Sequence, residues 1–204
     1  MSWAKPSCKQ TCKANARRLH LGVLWLFAWI GAALQGQAAY AAPDELPSEY
    51  RLKAAFLYRI GQFVEWPETS QRTGDAAFTI CVLGSNPFGE SLRELSTRSL
   101  GARPIALLYP SSASEARLCQ IVYTDLPTKK TVLELSALLA DSPVLTVGGA
   151  AQFVDAGGGI GFVVVDGKLR LEINLDVLKR ANLKPSAKLV EVAVRTVGGA
   201  KGRP

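Results

Sequence analysis

The stretch that most constrains this chain runs from Gly157 to Val194, GGGIGFVVVDGKLRLEINLDVLKRANLKPSAKLVEVAV. Its first half has a period of two. Ile160, Phe162 and Val164 share one face, and Leu169, Leu171 and Ile173 share one face of a second strand. Asp166-Gly167 between them suits a type I′ turn, which needs positive φ at both central residues. After Asn174 the period becomes helical, with Leu175, Leu178 and Ala181 on one stripe and Asn182 in place to end it in the left-handed conformation. Ser186 then caps a second helix whose stripe is Leu189, Val190 and Ala193. A hairpin with two short helices cannot bury both its faces, so it must close a sheet built earlier in the chain.

The earlier segments supply that sheet. Pro47 to Phe63 reads as a helix, with Tyr50, Ala54, Leu57 and Ile60 or Gly61 inward and Arg51, Lys53 and Arg59 toward water. It runs into Val64-Glu65-Trp66-Pro67, where Pro67 forces Trp66 out of the helical region. Residues 71–75 are polar and read as a loop. Four apolar strands follow: FTICVL from Phe78, IALL from Ile105, CQIVY from Cys119 and PVLTV from Pro143. Between them stand a helix opened by Asn86-Pro87 and running through Leu92 and Leu95, a short helical connection over 111–117, and a helix capped by Thr131 with Leu135, Leu138 and Leu139 inward. Gly148-Gly149 leads into a short helix containing Phe153. Strands alternating with helices predict an α/β fold in one domain: a mostly parallel sheet, helices on both faces, and the C-terminal antiparallel hairpin at one edge.

Not all 204 residues belong to that domain. Lys5, Lys9, Lys13, Arg17 and Arg18 precede an apolar run from Leu19 to Leu34, and Ala39-Tyr40-Ala41 is a small-residue cleavage site. This order predicts a secretory signal over 1–41, cut between Ala41 and Ala42; an uncleaved anchor is the alternative. The domain then spans 42–197, with 198–204 as a flexible tail. The signal holds five basic residues and no acidic one, so the chain's net +7 falls to +2 for the exported part. That balance gives no reason to expect nucleic acid or acidic lipid as a partner.

Cys8 and Cys12 lie in the signal, in a spacing that is weak as a metal site. Cys81 and Cys119 remain, and two cysteines in an exported domain most often pair. Closing that loop stabilises by roughly 4 kcal/mol in the chain-entropy model. Two buried free thiols are the alternative.

Catalytic parts are scarce. The one histidine, His20, leaves with the signal, so the exported chain has no Ser-His-Asp, Cys-His or His-based metal site. The glycines from Gly84 to Gly89 have P-loop spacing, but Glu90 stands where the lysine belongs. Gly148-Gly149 could hold an anion on its amides or be a plain turn. Glu65, Asp125 and Glu172 could meet in space, though nothing in their spacing favours it. The expectation is a non-enzyme with no cofactor and no metal.

YRLKAAFLYRIGQFVEWP (50–67), FTICVLGSNPFG (78–89), Cys119 opening a strand, LLADSPVLTVG (138–148) and GGGIGFVVVDGKLRLEINLDVLKRANLKPSAKLVEVA (157–193) resemble the YfiR family of small periplasmic proteins. The resemblance covers nearly the whole exported domain in order. It implies a single α/β domain, often dimeric, that represses a membrane-bound diguanylate cyclase and is sequestered by an outer-membrane lipoprotein. The outcome is control of cyclic-di-GMP and biofilm. Other relatives accompany membrane histidine kinases. On this resemblance Cys81 and Cys119 match the family's structural disulfide, and Trp66, Pro67, Gly157, Gly158, Phe162 and Asn174 match its signature positions. The family's second disulfide has no counterpart, and AVRTVGG stands where relatives continue a helix.

Two classes of function stay open: a protein-binding inhibitor with an exposed apolar patch, and a periplasmic small-molecule binder that informs a sensor kinase. For the inhibitor, the partner surface is expected at Phe56, Arg59, Phe63, Trp66, Val163 and Val165. The phenylalanines and valines exceed what one buried stripe needs. The competing reading of Trp66 is a core corner, and of the others, burial between two helical layers.

Overall fold

The computed structural model describes residues 45–68 and 77–199, with side chains from residue 49 onward. The signal segment, the 71–75 loop and the tail beyond Gly199 lie outside the described residues.

Helix α1 spans Glu45–Phe63 and buries Ala54, Leu57 and Ile60, the expected stripe. It passes directly into β1 (Val64–Glu65). Then come β2 (Phe78–Leu83), α2 (Glu90–Arg93), a 3-10 turn at Glu94–Thr97, β3 (Ser99–Leu100) and β4 (Arg103–Leu108). After a second 3-10 turn at Glu115–Leu118 come β5 (Ile121–Thr124), α3 (Lys129–Leu139) and β6 (Leu145–Gly148). The final third is β7 (Ile160–Val165), β8 (Lys168–Asn174), α4 (Leu175–Arg180), β9 (Lys184–Pro185), α5 (Ala187–Glu191) and β10 (Arg195–Val197).

The main sheet has the order β10-β8-β7-β6-β5-β2-β4-β3. β7, β6, β5, β2 and β4 run parallel, while β8 returns antiparallel to β7. β1 and β9 form a small antiparallel pair of their own. Successive residues of each central strand serve opposite faces. Ile80, Val82, Ile121 and Tyr123 join the large cluster under α1, while Cys81 and Val122 join Leu135 and Leu139 of α3 on the other side. The domain is therefore α/β, with helices on both faces.

Local chemistry explains most boundaries. Asp166 and Gly167 have φ of 50° and 68°, as a type I′ turn requires. Asn182 has φ 55° just after α4, and the Ser186 hydroxyl caps α5 by accepting from the Leu189 amide. Cys81 and Cys119 are bonded, with Cα atoms 6.0 Å apart.

Other boundaries differ from expectation. The Asn86 carboxamide accepts from the Phe88 amide, a local turn, so α2 starts only after Gly89. Thr128, not Thr131, caps α3; its hydroxyl accepts from the Thr131 amide, and Val132 takes the inward place expected for Leu138, which is half exposed. Residues around Phe153 form turns rather than a helix. The hairpin is not at the sheet's edge, because AVRTVGG yields β10, a strand parallel to β8. Arg195 holds it there, reaching Glu172 on β8 at 2.8 Å and Asp155 at 2.8 and 2.9 Å.

Candidate functional site

Along α1, Phe56, Ile60 and Phe63 follow i, i+4, i+7, a row that shares Ile60 with the core stripe. Two contacts bring the chain's far end against this row. β9 pairs with β1 in the register Val64↔Pro185, and the Ser186 amide donates to the Phe63 carbonyl at 2.8 Å. The Ser186 cap then starts α5 beside α1. Between them lies an open groove of about 430 Å³, walled by Phe56, Ile60, Phe63, Leu171, Leu189 and Val192. Arg59, Lys188 and Glu191 form a charged rim. Phe56 and Phe63 are half-buried, and Val192 is 59% exposed. The lining is apolar apart from that rim. Such a surface has the make-up of a binding patch.

The expected partner residues separate in space. Phe56, Arg59 and Phe63 stand together on the groove. Trp66 is 9% exposed, packed edge-on against Phe78 at 5.0 Å, and lines a different cavity of about 510 Å³ with Pro67 and Lys184. Phe162 packs on Phe56 at 6.0 Å, so by alternation Val163 and Val165 occupy the other face of the hairpin. Val163 is half-buried and Val165 is exposed. The residue missed by reading the sequence is Val192, which lies just beyond α5 and off its stripe.

A polar cluster sits at the carboxyl ends of β5 and β6. The Asp125 carboxylate accepts from the hydroxyls of Tyr123 (2.7 Å) and Tyr50 (3.3 Å) and from the Gly149 amide (3.3 Å). Burial first, then the Asp125 carboxylate, pushes the hydroxyl pKa of both tyrosines up, so each stays a donor. The anion on Gly149 is thus the chain's own. Lys53, expected in water, is 6% exposed; it pairs with Glu49 at 2.7 Å and lies 4.4 Å from the Tyr50 ring centre. Tyr50 and Leu57, three residues before it and four after, set Lys53 on the inward side of α1. The third carboxylate considered for this chemistry, Glu172, is held by Arg195 in a separate network.

The signature positions have structural reasons. Gly158 leaves no room for a Cβ because the Phe153 ring lies on it, as it also does on Gly148 outside the signature. Gly157 has φ 92°. Asn174 caps α4 through the Val177 amide and donates to the Val154 carbonyl at 2.9 Å. Among the described residues no group of three His, Cys, Asp or Glu could hold a metal, and no helix is long and apolar enough to cross a membrane.

The model of the YfiR/HmsC-like family matches residues 50–194, and the chain belongs to that family. No curated protein matches. Among solved structures, the chain is similar to a conserved domain protein from Vibrio cholerae O1 biovar eltor str. N16961, at 12% identity and a TM-score of 0.46. That match covers 72% of this chain and 60% of the other. It is also similar to a formate dehydrogenase from Granulicella m., at 14% identity and a TM-score of 0.31, over 52% of this chain and 38% of the other. At these scores neither likeness bears on function.

Proposed function

We propose that this chain, as a member of the YfiR/HmsC-like family, is a periplasmic regulator that represses a membrane-bound diguanylate cyclase by binding its periplasmic part. Family membership suggests a periplasmic regulator of signalling rather than an enzyme. The choice of a cyclase, an outer-membrane lipoprotein that relieves repression, and export through a signal over 1–41 extend that suggestion. The groove between α1 and α5 is the observation that carries the reading. It keeps Phe56, Phe63 and Val192 partly in water, on a wall otherwise made of core residues. Large apolar side chains flanked by a charged rim are the anatomy of a protein-binding patch.

Val192→Glu tests this directly, because the residue is 59% exposed and lies outside the core. Cells carrying the variant in place of the natural chain should raise cyclic-di-GMP to the level of a deletion strain, with exported protein still present and folded. Unchanged cyclic-di-GMP in both Val192→Glu and Arg59→Glu would reject the groove as the repressing surface.

The groove's volume of about 430 Å³ and apolar lining also favour a second reading, a small apolar ligand whose presence is passed to a sensor kinase. A ligand that raises the melting temperature of the natural chain, but not of Phe56→Ala, would support it.

A further inference from the structure

Resting on the regulatory reading, a second feature bears on how the partner is held. β7 pairs with β6 only at Ile160 and Gly161, but with β8 along its whole length. Phe162 to Val165 therefore overhang the sheet, and no described strand lies on their β6 side. The Gly159 carbonyl accepts from the Asn174 amide across the hairpin. By alternation, the main-chain groups of residues 161, 163 and 165 also point at β8, and those of Val164 point outward. Val164 is 64% exposed and Val165 40%.

The hairpin's two edges are guarded differently. Where β8 runs past β10 it carries Lys168 and Arg170, both exposed. Charges of that kind keep an open edge from pairing with another chain. From Gly157 through Val165 the sequence has no charge at all, and three consecutive valines favour a strand.

We propose that the β7 edge at Val164 takes an extended segment of the partner protein as an added strand, and that this segment carries a basic residue at its end nearest β6. The charge follows from what stands there. Gly149 directly follows β6 and donates to Asp125, whose three donors are all neutral. Lys53, the cation beside Gly149, is bonded to Glu49, so the group of Lys53, Glu49 and Asp125 keeps one negative charge. A second copy of this chain is a poor occupant. Two-fold pairing about Val164 sets Asp166 of each copy opposite Phe162 of the other, toward the other's Asp125, and like charges meet.

The test uses the full chain and three synthetic peptides of alternating Val and Thr: one with a single Lys, one with Glu at that place, and one with the Lys but an N-methylated backbone. The Lys peptide is expected to bind and to slow exchange of the Val164 amide, with the Glu and N-methylated peptides about tenfold weaker or worse. Val164→Pro removes an outward N–H and leaves the β7–β8 ladder its donors, so it should lose about tenfold in Lys-peptide binding, while Val164→Thr binds as the natural chain does. Equal binding of the N-methylated peptide overturns the proposal even if the proline variant fails to fold. Protection of Val164 at high protein concentration without peptide, alongside a dimer in sedimentation, overturns it in favour of a second copy. The peptide result is independent of the cyclic-di-GMP assay, so edge pairing and regulation can fail separately.

Discussion

The two faces of the main sheet are covered by different means. On one, the 19-residue α1 lies over a continuous cluster running from Ala54 to Leu189, tied by edge-on aromatic contacts such as Tyr50–Phe88 at 5.4 Å and Phe88–Tyr123 at 4.6 Å. On the other, α3 and the turns around Phe153 cover two smaller clusters, one of which contains the Cys81–Cys119 bond. A long helix supplies enough buried area to hold its face by packing and can leave a groove open at its edge. Short segments bury less, and a covalent bond and a close glycine–aromatic fit make up the difference.

The largest test of that contrast is the disulfide. Cys81→Ser with Cys119→Ser should lower unfolding free energy by roughly 4 kcal/mol in urea titration. A loss under about 1 kcal/mol would mean that packing alone holds the α3 face as well.

Alanine at two glycines compares the faces next. Gly158→Ala drives a methyl into the Phe153 ring and should cost about 1–3 kcal/mol. Gly61→Ala on α1 meets only the tip of Leu100, which can turn aside, and a helix gains about 1 kcal/mol from the change. Its melting temperature should stay level or rise. Equal losses at both sites would remove the distinction.

Arg195→Ala probes the sheet's outer edge. The side chain is 40% exposed, so the loss should be only about 1 kcal/mol after discounting for solvent. It should appear first as faster amide exchange in β10. The hydrogen bonds from Arg195 hold the Asp155 carboxyl below the usual carboxylate range. A lowered folded pKa contributes stability above the unfolded value, and that stability is lost as pH falls through the lower folded value. Protection of β10 should therefore weaken below about pH 4, and less so in Asp155→Asn.

The smallest stability effect is expected at the groove. Val192→Glu should shift unfolding by no more than about 0.5 kcal/mol while abolishing repression. A large destabilisation would make the groove part of the core rather than a surface.

Much of this architecture was legible from local chemistry. The Asp166-Gly167 turn, the Ser186 cap and the left-handed Asn182 each depend on a few neighbouring residues, and all three stand where the pattern puts them. The start of α2 departs from the pattern because Asn86 can cap a helix or fold onto its own next turn, and Gly89 with φ 52° settles it for the turn. β10 was illegible for another reason. Three residues of ordinary polarity pair only because β8 has a free side and Arg195 finds two carboxylates 23 and 40 residues earlier in the chain. The candidate site was half legible: the excess of apolar residues on α1 was visible, but not which valines accompany them.

By itself the sequence determined where strands, turns and helices alternate, which cysteines were available to pair, and that residues 42–204 contain no histidine, since each follows from composition or short-range spacing. Only the tertiary structure decided that Lys53 is buried on Tyr50, that Trp66 belongs to the core beside Phe78, and that Val163 and Val165 face away from Phe56. Those outcomes depend on which elements become neighbours. The groove exists because the Ser186 amide finds the Phe63 carbonyl across 122 intervening residues. No periodicity within either segment encodes that meeting.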